Sequence, residues 1–91
     1  MDRETFLDIV SENLGNEITE YGRFNPRMTL SELGADSLDK INILMEAEEE
    51  TGVEFTEAEA DRIGDATLHD AHLMIVHIVD QRRAERRSRR K

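Results

Sequence analysis

Ninety-one residues make one small domain, and the absence of cysteine excludes disulfides and thiolate metal sites. Hydrophobic residues are 37% and aromatics 4% of the chain, so its core is aliphatic and suits a few short helices better than a sheet. The net charge of −9 is unevenly divided: seven basic residues and one acid after Asp80 give the chain end +6, and residues 1–80 hold −15. So acidic a body repels itself and attracts basic partner surfaces. No apolar run is long enough to cross a bilayer, and Met1-Asp2-Arg3-Glu4 lacks the design of a signal peptide, which makes the cytoplasm the expected location.

Phe6, Ile9, Val10 and Leu14 fall at helical spacing, with Leu7 beside them, and predict a first helix from Asp2 or Arg3 to Leu14 that stops at Gly15. A long connection follows, Asn16 to Asp36, broken by Gly22, Pro26 and Gly34 and pinned to the core by Ile18, Tyr21, Phe24, Met28, Leu30 and Leu33. A loop of this length in so small a domain is expected to be functional or wrapped on the surface. The second helix is expected to start at Asp36 or Ser37, with Asp36 as its N-cap and Asp39 completing a capping box. Periodicity assigns Leu38, Ile41, Leu44, Met45 and Ala47 to its buried side and Glu46, Glu48, Glu49 and Glu50 to solvent, up to Thr51-Gly52. Val53-Glu54-Phe55 reads as extended. Thr56-Glu57-Ala58-Glu59 opens a short third helix that ends near Ile63-Gly64. Thr67 caps a last helix whose inner face is Leu68, Ala71, Ile75, Ile78 and Val79. The fold expected is all-α, a small bundle of three longer helices and one short one with a long first loop. Residues 1–80 are expected to form the domain. The basic tail 81–91 either frays from the last helix or prolongs it and can fold back by charge on the acidic body; a disordered tail is the reading favoured.

The most informative run is Leu33-Gly34-Ala35-Asp36-Ser37-Leu38-Asp39. It sets Ser37 where a loop becomes a helix, so that its hydroxyl is accessible and a phosphate attached to it meets free N–H groups and the positive dipole end of the helix. No neighbouring residue activates this serine as a nucleophile, which points to a serine that is modified rather than catalytic. The Asp36/Asp39 pair is explained by capping and needs no acid–base chemistry. The stretch also lacks the run of oxygen ligands and the central glycine of a calcium loop.

The same residues, with the acidic run Glu46-Ala47-Glu48-Glu49-Glu50 at its distance behind the serine, resemble the acyl carrier proteins over Phe6 to Val79. The resemblance implies that a phosphopantetheinyl transferase moves the 4′-phosphopantetheine arm of coenzyme A onto Ser37, and that the thiol of the arm carries acyl groups as thioesters. On this reading the chain is not an enzyme. Asp36, Leu38, Asp39, Ile41, Met45, Glu46, Glu48 and Glu49 then correspond to the recognition face. The implied partners are acyl-transfer, condensing and modifying enzymes of fatty-acid, polyketide or specialised lipid synthesis with basic docking surfaces. The residues agree by a separate route. A chain without cysteine must borrow the thiol that thioester chemistry needs, and an acidic helix gives the fast, weak docking that suits a shuttle. The chain departs from the family pattern at Asn42, where glutamate is frequent, at Ala47 and Thr51, where bulky apolar residues are frequent, and at Phe55-Thr56-Glu57. Its first loop is about two residues longer than in the commonest members, and its Gly64-Asp65-Ala66 connection is also extended.

His69 and His72 are neighbours on a helix, but His77 is five residues on from His72, a poor spacing for one face, so packing or solvent exposure is expected rather than a metal. The arginine-rich end has no aromatic residues for base stacking, and neither nucleic acid binding nor membrane insertion is expected of it. A monomer follows from the self-repulsion of the acidic body. The rival from another class is an interaction or regulatory protein that keeps the carrier fold and is never modified.

Overall fold

A computed structural model describes residues 1–15 and 25–88. Among the described residues four helices occur: α1 Arg3–Leu14, α2 Ser37–Thr51, α3 Glu57–Asp65 and α4 Leu68–Ser88. No strand occurs among the described residues, and Thr29 and Thr67 form one isolated antiparallel bridge. The expected all-α bundle of three longer helices and a short one is the fold observed. Ile18, Tyr21 and Phe24, expected to pin the first loop, lie outside the described residues.

The helix ends follow from capping chemistry. Asp2 accepts the Thr5 N–H at 2.8 Å and starts α1, and Gly15, at φ 85°, ends it. Thr56 and Glu59 form a capping box at α3, with the Glu59 N–H on Thr56 Oγ1 at 3.1 Å and the Thr56 N–H on Glu59 Oε1 at 2.9 Å. Thr67 Oγ1 accepts the Asp70 N–H at 3.1 Å at the head of α4.

Among the described residues the core is aliphatic around Phe6, with Phe55 partly buried against it. Phe6, Ile9 and Val10 of α1 meet Ile43, Leu44 and Ala47 of α2, Ile63 of α3, and Leu68, Ala71, Ile75, Ile78 and Val79 of α4, with Leu30 and Val53 filling in from the loops. The inner face expected for α4 is therefore the observed one. That of α2 is shifted. Leu44 and Ala47 are buried as expected, but Leu38, Ile41 and Met45, assigned by spacing to the same side, are 63%, 53% and 53% exposed, and Ile43 and Thr51 are buried in their place. The run Leu38 to Met45 holds apolar residues on two adjoining faces, so periodicity alone does not choose between them; packing against α1 does. Thr51 belongs in this core because its hydroxyl donates to the Ala47 carbonyl at 2.8 Å and accepts the Val53 N–H at 3.3 Å.

The last helix also departs from expectation. It does not give way to a disordered tail at Gln81 but continues to Ser88. Arg82 ties this extension to the body by an ion pair with Glu59 at 2.7 Å.

Candidate functional site

The serine owes its position to a chain of short-range bonds that begins eight residues earlier, at Thr29. The Thr29 N–H donates to Glu32 Oε1 and the Glu32 N–H to Thr29 Oγ1, each at 3.1 Å, which opens a single helical turn. That turn closes in a Schellman pattern. The Ala35 N–H reaches the Leu30 carbonyl and the Gly34 N–H the Ser31 carbonyl, both at 3.0 Å, with Gly34 at φ 95°. Leu30 and Ala35 are both buried, so the turn is anchored to the core at both ends. The segment before it is tied to the head of α4: the Leu68 N–H donates to the Met28 carbonyl at 2.8 Å and the His69 N–H to the Pro26 carbonyl at 3.0 Å.

Immediately after Ala35 the chain turns into α2. Asp36 is the N-cap, its Oδ1 accepting the Asp39 N–H at 2.8 Å, and Asp39 Oδ2 accepts the Asp36 N–H at 3.1 Å. The capping box expected at this helix is present. Ser37 is the first helical residue and its side chain is exposed. The cap takes the Asp39 N–H and the Asp36 carbonyl takes the Lys40 N–H at 3.1 Å. The N–H groups of Ser37 and Leu38 remain as the free donors of the first turn, as helix geometry requires. An anion on Ser37 Oγ thus sits at the positive end of a fifteen-residue helix. Asp36 and Asp39 face the same corner, and their repulsion favours an attached group that points away from the body into solvent.

Behind the serine, Leu38, Ile41 and Met45 form an exposed apolar ridge at spacings of three and four residues. Glu49 is exposed beside it and Glu50 is exposed further round the helix, towards α1, while Glu46 and Glu48, expected in solvent, are half-buried. Glu48 is engaged structurally: its Oε2 accepts the Phe55 N–H at 2.8 Å and fastens the α2–α3 connection to α2. Between α1 and α2, Asp8, Glu12, Glu46, Glu49 and Glu50 line one side of the molecule. An apolar ridge bordered by carboxylates is the arrangement expected of a surface that finds basic partners by charge and holds them by a small apolar contact. The structure therefore brings together Asp36, Ser37, Leu38, Asp39, Ile41, Met45 and Glu49 on or beside one exposed stripe of α2.

Elsewhere, His72 stacks on Phe6, with ring centroids 5.9 Å apart, and its Nε2 donates to the Met1 carbonyl at 3.0 Å, so it packs the start of the chain. His69 and His77 are exposed. Among the described residues no group of side chains is arranged to hold a metal ion. Three tethers have partners that the sequence did not identify: Glu48 on Phe55, Arg82 on Glu59, and Lys40 Nζ, 3.7 Å from Asp65 Oδ1. Each joins residues seven or more positions apart, beyond the reach of helical spacing rules. Only the opposite charges of the two ion pairs hinted at them.

Comparison with known proteins follows the same residues. The family model of the phosphopantetheine attachment site matches residues 4–69. The chain is 39% identical over 84 residues to an acyl carrier protein of Zymomonas mobilis, an alignment covering 89% of this chain and 94% of that protein. It is 53% identical over 38 residues to a mitochondrial acyl carrier protein of Dictyostelium discoideum, covering 42% of this chain and 32% of that relative. The chain thus spans about a third of the Dictyostelium protein and nearly all of the one from Zymomonas. No solved structure matches the chain.

Proposed function

Because the chain belongs to the acyl carrier protein family, whose attachment-site model spans residues 4–69, we propose that Ser37 is the residue that carries its 4′-phosphopantetheine arm. The observation that supports this most is the place of Ser37: exposed, first in α2, next to an N-cap, with unused N–H donors in the same turn. Residues of this kind fit a phosphodiester, which needs an accessible oxygen to be made on and a positive environment to rest in. Ser37 Oγ bonds to the phosphorus that bears pantetheine in coenzyme A, the pyrophosphate bond breaks, the adenine nucleotide leaves, and the serine proton passes to the transferase. The bound arm supplies a thiol, on which an acyl group is held as a thioester.

The remaining residues keep that group available without reacting with it. Asp36 fixes the turn that presents the serine, and its charge together with that of Asp39 directs the arm outward. Leu38, Ile41 and Met45 give partners an apolar contact, and Glu49, with Asp39, Glu46 and the outer part of Glu48, gives them acidic guidance. Partners are the transferase and the acyl-transfer, condensing and modifying enzymes of fatty-acid, polyketide or specialised lipid synthesis, with arginine and lysine on their docking surfaces. No helix among the described residues is long and apolar enough to cross a membrane, and the relative from a bacterium supports work in the cytoplasm. Incubation with coenzyme A and a promiscuous phosphopantetheinyl transferase should add one phosphopantetheine mass to the intact protein, and Ser37→Ala should abolish the gain. Modification that survives this substitution would show that the arm is attached elsewhere.

A further inference from the structure

The continuation of α4 past Asp80 places arginines where the rest of the bundle is held least firmly. Helix α3 is nine residues long and fully buries only Ile63 and Gly64. Its far end is tethered by Lys40 and Asp65 at 3.7 Å, and the Asp65 side chain is 82% exposed, so this contact is worth little. Its near end is held differently. Glu59 Oε1 accepts both the Thr56 N–H at 2.9 Å and the guanidinium of Arg82 at 2.7 Å. Their side chains are 13% and 28% exposed, well below what is usual for a surface pair. The capping box has already fixed the carboxylate, so Arg82 binds a group whose side-chain entropy is spent. One turn further on, Arg86 Nη2 lies 3.5 Å from the Gly52 carbonyl, at the negative end of α2. Arg82, Glu85 and Arg86 thereby form one wall of a groove whose other wall is the α2–α3 connection, 52–56.

We propose that the extension of α4 is a latch: Arg82, through Glu59, holds the head of α3 against the body, and so controls how readily α3 parts to let an acyl chain into or out of the bundle. An apolar chain sheltered by this aliphatic interior must displace one helix, and the helix with least buried surface yields first. The latch does not depend on the carrier reading of the chain, whereas the control of cargo rests on it. Arg82 is a positioning residue and touches no reacting atom.

The test separates the two. Amide hydrogen exchange is followed on the full unmodified chain for the native protein, Arg82→Gln, Glu59→Gln and the double variant, in low and high salt. Glutamine at 59 keeps an oxygen for the Thr56 N–H and drops the charge. The α3 amides should exchange roughly threefold to fivefold faster in either single variant, no faster again in the double, with α1 and the part of α4 before Gln81 unchanged. High salt should narrow the difference. Unchanged α3 rates, or equal acceleration in every helix, would overturn the latch. The protein is then loaded with an octanoyl-phosphopantetheine arm and the thioester is cleaved with hydroxylamine. Cleavage should be several-fold faster in Arg82→Gln, and an unaltered rate alongside faster α3 exchange would overturn the control of cargo. Failure of the carrier reading itself shows earlier, as no mass gain on loading.

Discussion

Asp36 and Asp39 each hold the backbone of the other: Asp36 Oδ1 takes the Asp39 N–H at 2.8 Å, and Asp39 Oδ2 takes the Asp36 N–H at 3.1 Å. The reciprocal pair fixes the angle at which the chain enters α2 and with it the direction of Ser37. Asp36 has two separable duties, cap and charge. Asp36→Ala removes both and should cost about 1 kcal/mol in urea unfolding. Asp36→Asn keeps the acceptor and should stay within about 0.5 kcal/mol of the native protein. If the charge also guides the transferase, both variants should be modified more slowly, and the asparagine variant isolates that effect. Equal modification rates for native and Asp36→Asn protein would leave the carboxylate with a capping role alone.

The phase of α2 yields a contrast between neighbours. Ile41 is 53% exposed and Ile43 is 1% exposed, two residues apart on one helix. Ile43→Ala should cost roughly 2–5 kcal/mol, as truncations in a close-packed core do. Ile41→Ala should change stability by less than about 0.5 kcal/mol, as surface substitutions do, and should lower the transferase rate. Chemical denaturation of the two variants decides it. The reverse order of stabilities would put the helix about half a turn out of phase.

This contrast also shows what the sequence made legible. The ends of the helices were readable because caps act over three or four residues: Asp36, Gly52, Thr56 and Thr67 all stand where local rules put them. The inner face of α4 was readable because one stripe of Leu68, Ala71, Ile75, Ile78 and Val79 stands alone. In α2, two apolar stripes compete, and the one left exposed is the ridge beside Ser37. An exposed apolar stripe looks like core to any periodicity rule, because both are made of the same side chains. The reach of α4 to Ser88 was hidden for a related reason: a run of arginines reads as a solvated end until Glu59, 23 residues earlier, is placed against it.

Gly34 tests the turn that delivers the serine. Its φ of 95° is a conformation that side chains rarely adopt, yet a Cβ added there would meet nothing within 4 Å. The cost of Gly34→Ala is therefore backbone strain without a clash, about 1 kcal/mol. A thermal or urea midpoint should fall accordingly, with no change in the denaturant slope. If the strain is relieved by opening the Leu30–Ala35 turn, modification of Ser37 should slow as well.

The pH dependence of stability should carry the mark of Glu59. Its carboxyl is held below the usual range first by the Thr56 N–H, against an opposing push from burial, and then by the Arg82 guanidinium. A carboxyl whose value is lowered on folding contributes stability that is fully present above its unfolded value, about 4.3, and is lost as pH falls through the lower folded value. From pH 7 down to about 5 the native protein should therefore be more stable than Glu59→Gln by a constant margin, and below about 4 the two curves should converge. Arg82→Gln removes only the later of the two favourable causes, so its curve should lie between them at neutral pH. Unfolding by urea at a series of pH values from 3 to 7 measures all three. A margin that persists undiminished at the acid end would mean that Glu59 contributes through packing and not through its charge.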